Sequence, residues 1–322
     1  MSKTPLHLLL AAAALAFLPA PAVAQAYPKA PITLVIPLTP GDATDIAARV
    51  MGEELGKHLK VPVIPVNRPG AGAALGTDSV VKAPKDGYTI LITINAALTL
   101  RRVLEPLSAQ YDPLKDLTPL GLSTRIPSIL AVRDDLPYRN FPEMVEHLRK
   151  RPGTVRAGTV GAGSVGDFTV QIINSLAGVE MTMVPFKGAS PAITALRGGH
   201  VEGVAVALGA VSSHLKSGAM RGIAISSKFP EFPAIPTMAE LGYPQSLLGV
   251  WLAFFAPAGV PAEVTAALVP AVEKVSKDPE IAARLAALGM LQDYAPPDML
   301  VEEIRAEHRT VEQIAKRAGL VK

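Results

Sequence analysis

From Tyr27 onward, short β-rich runs alternate with amphipathic stretches. "ITLVIPL" (32–38) is an unbroken apolar run of strand length. "ATDIAARVMGEELGKHL" (43–59) follows at helical spacing, with Ile46, Val50, Met51 and Leu55 on one face. "VPVIPVN" (61–67) reads as a strand, "ALGTDSVVKAP" (74–84) as a helix after a glycine-rich turn, and "GYTILITI" (87–94) as a third strand. The alternation resumes with a strand at 128–133, a helix at 142–150, a strand at 155–160, and a helix from Ser164. Strands at 180–186, 203–208 and 221–226 follow, with a helix from Pro191 between the first two. Such alternation predicts parallel strands with helices on both faces.

Two proline-rich, irregular stretches interrupt the pattern, "YDPLKDLTPLGLST" (111–124) and "SSKFPEFPAIPTMAELGYP" (226–244). Read as crossings, they divide the chain into one lobe at 25–124 plus 230–322 and a second at 125–229. The helical stretch 262–289 then packs back on the first lobe. The expectation is a two-lobed α/β protein whose ligand sits where strand ends and helix starts of both lobes face one cleft.

The N-terminus changes where this protein works. Lys3 precedes the apolar run "LHLLLAAAALAFL", and Ala22 and Ala24 stand where a signal peptidase reads small residues. Residues 1–24 therefore read as a signal peptide cut after Ala24. At about 13 apolar residues the run is too short for a membrane anchor, which needs about 20. A soluble protein exported to a bacterial periplasm is expected. Hydrophobic residues make up 49% of the chain and charged residues 18%, which fits a packed globular protein. The 31 basic and 28 acidic residues are dispersed, so nucleic acid is not an expected partner. The absence of cysteine removes disulfides, thiolate metal sites, a cysteine nucleophile and a lipoprotein anchor.

Two loops share the order strand, glycine turn, helix start: "VIPLTPGDATDIAARV" (35–50) and "VRAGTVGAGSVGDFTVQIINSL" (155–176). The first N–H groups of a helix lack intrahelical partners and sit at the positive end of its dipole, so two such starts facing a cleft would hold a carboxylate or phosphate. Asp42-x-x-Asp45 and Ser164-x-x-Asp167 resemble capping boxes; alternatively, Asp42 and Asp167 contact a hydrogen-donating group of the ligand. Gly161-x-Gly163-x-x-Gly166 has dinucleotide spacing, but Glu180 opens the next strand where an acid should close it, and no cofactor is expected. Ser164 lies one residue short of a nucleophile elbow, because Ala162 replaces the first glycine. A secreted α/β hydrolase using Ser164 with His200, His214 or His308 is the alternative. The six histidines are scattered without metal-ligand spacing, and the side chains of adjacent Asp134 and Asp135 diverge. Trp251 is a candidate cleft wall, with Phe254 and Phe255 strand core, and Lys187 could face the cleft.

"YPKAPITLVIPLTPGDATDIAARV", "VNRPGAGAALGTDSVVKAPKDGYTILI", "GTVGAGSVGDF", "VPFKGASPAITALRGGHVE" and "WLAFFAPAGVP" together resemble the substrate-binding proteins of tripartite tricarboxylate transporters, the Bug family. The resemblance spans nearly the whole mature chain, and its most specific runs are Asn67 to Gly72 and Asp86 to Thr89. It implies a periplasmic, Venus-flytrap binding protein of type II-like architecture, with mixed sheets flanked by helices, acting as a monomer. Such a protein delivers a small organic acid to a membrane permease, or reports it to a signalling partner. Carried over by position, the site comprises Thr39, Gly41, Asp42, Thr44 and Asp45, then Thr93 and Asn95, then Gly161, Gly163, Ser164 and Asp167, with Lys187 and Gly188. The chain departs from the family pattern at Asp42, at Asp167, and at Val206, where the family often carries an aspartate. Two added carboxylates beside an anion cradle would repel a plain dicarboxylate. The expected ligand is therefore an acid that also carries a cationic or hydrogen-donating group, or one that is largely aromatic or neutral.

Overall fold

The computed structural model describes residues 27–322 except 42, 108, 162, 318–320 and 322; the leader read at 1–24 lies outside the described residues. The buried run β1 (Ile32–Ile36) leads into α1 (Ala43–Leu59), then β2 (Val63–Asn67), α2 (Ala74–Val81) and β3 (Thr89–Ile94). A π-helical turn (Ala96–Leu100) and the short α3 (Arg101–Leu104) connect β3 to β4 (Leu117–Ile126). Past Pro127 the chain builds β5 (Ser128–Arg133), α4 (Phe141–Lys150), β6 (Arg156–Thr159) and α5 (Val165–Ala177). β7 (Thr182–Pro185), α6 (Ala189–Arg197), β8 (Gly203–Ala207), α7 (Leu208–Lys216) and β9 (Met220–Ile225) follow. After the second crossing come β10 (Val250–Pro257), α8 (Ala262–Val275), α9 (Pro279–Ala286), β11 (Leu291–Ala295) and α10 (Pro297–Arg317).

These strands make two mixed sheets, ordered β11-β4-β10-β3-β1-β2 and β7-β6-β8-β5-β9. The parallel pairing expected from the alternation occurs among β1, β2 and β3 and among β6, β7 and β8. Strands beside the crossings pair antiparallel instead: β10 with β3 and β4, and β5 with β8 and β9. Residues 111–124 are not wholly irregular, because β4 runs through their second half. Pro119 hid it: lacking an N–H, it sits opposite Phe255 where the register shifts between Phe254 and Phe255. In α1, Val50, Met51 and Leu55 face the core as expected, but Ile46 is exposed and Ala47 and Ala48 are buried in its place.

Successive side chains of a strand point to opposite faces. Leu252 and Phe254 accordingly pack under α1 and α8, while Trp251 and Phe255 pack on the other face with Leu300 and Ile304 of α10. Further along the same helix, Val311 and Ile314 join the core of the second sheet with Phe168 and Ile172. Each such buried side chain contributes about 1.5–3 kcal/mol, so α10 is anchored to both lobes. The crossings are joined too: Ser128 N donates to Ser226 Oγ (3.0 Å), and Ser226 N to the Ser128 carbonyl (2.9 Å).

Candidate ligand-binding cleft

Four helix starts meet at a cavity of about 540 Å³ between the two sheets. Thr44 comes from α1, Val165 and Gly166 from α5, Gly188 and Ala189 from the start of α6, and Ala207, Gly209 and Ala210 from the start of α7. Each helix follows a strand of its sheet, so the cavity lies at the carboxyl ends of β1, β6, β7 and β8, the usual place for a ligand in such sheets. Neither Gly188 nor Ala207 caps its helix with a side chain; the Leu208 N–H of α7 donates to the Pro127 carbonyl (2.8 Å), and the N–H groups that follow it, like those of the first turn of α6, receive no side-chain cap from the residue before the helix. Ile126, Ser128 and Val250 at the crossings and Ala287, Leu288 and Met290 beyond α9 complete the wall. The starts of α6 and α7, without side-chain caps, place partial positive charge at this wall, the physical basis of an anion site.

The two glycine loops are built alike. The Gly41 N–H donates to Asp45 Oδ2 (2.9 Å) and the Gly163 N–H to Asp167 Oδ2 (2.7 Å), each carboxylate reaching back four residues. Ser164 caps α5 by accepting the Asp167 N–H at 3.3 Å. The twins differ in charge balance. Burial pushes the Asp45 carboxyl up, but hydrogen bonds from Arg49, Asn67 and Gly41 together hold it below its ordinary value. Burial raises the Asp167 pKa, against hydrogen bonds from Thr159 Oγ1 and the Gly163 N–H, and among the described residues no cation pairs with it. Asp167 does not line the cavity; both of its oxygens brace the loop.

Of the other residues read from the sequence, Thr44 lines the cavity, Thr39 and Gly41 are exposed on the loop after β1, and Asp42 lies outside the described residues. Gly161 and Gly163 hold positive φ (129° and 70°), and a Cβ on Gly163 would come within 2.7 Å of Leu104 Cδ1. Lys187 is exposed and does not line the cavity. Three expectations need correcting. Thr93 is fully buried against Thr77, 3.2 Å between hydroxyl oxygens. Asn95 is turned into the protein by the π-helical turn and donates to the Gly249 carbonyl (2.9 Å) and to Glu307. Trp251 is 1% exposed and donates its indole N–H to Glu307 Oε2 (2.8 Å), so it is no cleft wall. Sequence reasoning missed the starts of α6 and α7 beyond Gly188 and the 287–290 segment. The α7 start carries no glycine turn before it, and 287–290 reaches the cleft only through the fold.

Glu307 joins these buried groups at the middle of α10, also accepting from Thr99 Oγ1 at 2.6 Å. Burial pushes its pKa up to about 7 and the Glu303 carboxylate adds to the rise, against the lowering effect of hydrogen bonds from Thr99, Trp251 and Asn95.

The lobes touch backbone to backbone beside the cavity. A Cβ on Gly209 would lie 2.5 Å from the Leu288 carbonyl oxygen, and one on Gly289 2.6 Å from Gly209 Cα. Gly209→Ala is therefore expected to hold the lobes apart, weakening ligand affinity about tenfold or more while leaving the melting temperature of the unliganded protein nearly unchanged. Calorimetric titration beside a thermal melt checks this. Equal affinity would show that the contact is irrelevant to closure.

Comparison with known proteins gives a consistent result. The family model described as tripartite tricarboxylate transporter family receptor matches residues 47–320. Protein BugT of Bordetella pertussis is 33% identical over 282 residues, covering 87% of this chain and 86% of its own. A solved R. palustris protein with adipate is 29% identical with a TM-score of 0.77, covering 91% of this chain and 98% of that one. MatC from Rhodopseudomonas palustris with bound malate is 30% identical with a TM-score of 0.72, covering 89% and 99%.

Proposed function

Because the chain belongs to the tripartite tricarboxylate transporter family of receptors, we propose that it is a solute-binding protein that closes two lobes over a small carboxylate and delivers it to the membrane subunits of such a transporter. The observation that carries this reading is the convergence of four helix starts, from both lobes, on one cavity. Uncapped N–H groups at α6 and α7 supply the anion contacts, and the macrodipoles add partial positive charge without a basic side chain. We assign the lobes to 25–124 plus 230–322 and to 125–229, and place the protein, as a monomer, in the periplasm. That compartment agrees with the leader-like residues 1–24 and with the similar periplasmic binding protein BugD.

Closure would bury the acid and create the surface that the permease reads. Protein freed of host-derived ligand should bind at least one small carboxylate in a calorimetric panel and become more compact in solution scattering as it does. Binding without compaction would contradict closure. A panel in which amines, sugars or alcohols bind and carboxylates do not would contradict the carboxylate. Labelling of Ser164 by a fluorophosphonate would instead support a hydrolase, against its role as the cap of α5.

A further inference from the structure

Resting on the carboxylate reading above, we infer that the acid this cleft takes carries one carboxylate and an uncharged, apolar body. Among the described residues, no Lys, Arg, His, Asp or Glu side chain lines the cavity. Among the described residues its polar side chains are Thr44 and Ser128. Ser128 Oγ is committed to the crossing, where it donates to the Leu248 carbonyl (2.5 Å) and lies 3.3 Å from Thr169 Oγ1. Anion contacts are therefore concentrated in backbone N–H groups at the helix starts.

The rest of the wall is hydrocarbon contributed by three parts of the fold. Val206 is the last residue but one of β8, Ile126 and Val250 flank the crossings, and Leu288 and Met290 close the side reached by the first lobe; Val160 stands exposed beside it. A second carboxylate at the far end of a bound acid would lose its water against these side chains and meet no counter-charge there. A methyl end or an aromatic ring in the same place would bury apolar surface instead. The volume suits such a body, since pockets for small organic ligands run from about 300 to 1,000 Å³.

Hexanoate, adipate and hexan-1-ol share a six-carbon chain and separate the two claims. Calorimetry on the full mature chain, freed of host ligand, should show hexanoate binding about 100-fold more tightly than adipate, and hexan-1-ol much more weakly than hexanoate. Ala287→Lys places a cation on the exposed part of the wall, at the C-terminal end of α9 where a positive charge is tolerated. It should reduce the preference for hexanoate about tenfold by improving adipate binding. Adipate binding as tightly as hexanoate would overturn the apolar body and leave the carboxylate reading standing. Hexan-1-ol binding as tightly as hexanoate, or neither acid binding, would overturn both.

Discussion

Glu307→Gln should make the protein more stable at pH 8 by on the order of 3 kcal/mol and remove much of the loss of stability between about pH 4.5 and 7. The Glu307 carboxyl is raised from 4.5 to about 7, chiefly by burial, although Thr99, Trp251 and Asn95 donate to it. An acid raised in the folded state keeps its proton there after the unfolded chain has lost its own. The stabilisation is thus fully present below pH 4.5, falls as pH rises through the window, and is lost above about 7. Glutamine keeps an acceptor for the indole N–H and has no charge to bury. Glu307→Leu should do the opposite, because it leaves the Trp251, Asn95 and Thr99 donors buried without an acceptor, at a cost of about 3 kcal/mol or more. Urea unfolding of the three proteins at pH 5 and pH 8 reads these differences. A Gln variant with the same pH dependence as the parent would show that Glu307 is ionised throughout.

Gly166→Ala is expected to destabilise the protein by about 3 kcal/mol and to abolish measurable ligand binding. A Cβ there would lie 2.2 Å from the Ala205 carbonyl oxygen and 3.1 Å from its carbon, in the middle of β8. Backbone cannot swing aside as a flexible side chain does, so α5 must lift off the sheet. That movement separates Val165 from Val206, two walls of the cavity on adjacent elements. Gly41→Ala provides the contrast. Gly41 has φ of 82° but nothing within 4 Å of an added Cβ, so strain alone should cost about 1 kcal/mol. Thermal melts of both variants, with titration of the folded material, would reveal the difference. Equal small losses would mean that α5 accommodates the methyl group freely.

The strand–turn–helix repeats were readable because their apolar periodicity and glycines are local properties of the chain. For the same reason both glycine loops and the Ser164 cap could be anticipated, whereas Thr44 came only from the family resemblance. What failed depended on distant residues. Thr93 and Asn95 end a strand whose neighbours approach the cleft, yet the π-helical turn and Glu307, 212 residues after Asn95, draw Asn95 inward. β4 was concealed by Pro119, which is tolerated only because β10 shifts register beside it. Asp167 was singled out as a ligand contact or a cap. Its partners, Thr159 and the Gly163 N–H, are close in sequence, but its exclusion from the cavity wall became visible only in three dimensions.

The placement of the carboxylate is tested most directly by a crystal structure of the hexanoate-bound protein. Its two oxygens should accept hydrogen bonds at about 3 Å from backbone N–H groups in the first turns of α6 or α7, with the hydrocarbon chain lying against Val206 and Val250. Hexanoate seated outside the cavity between the lobes, or held there by a basic side chain such as Lys187 with the helix-start N–H groups unengaged, would contradict it.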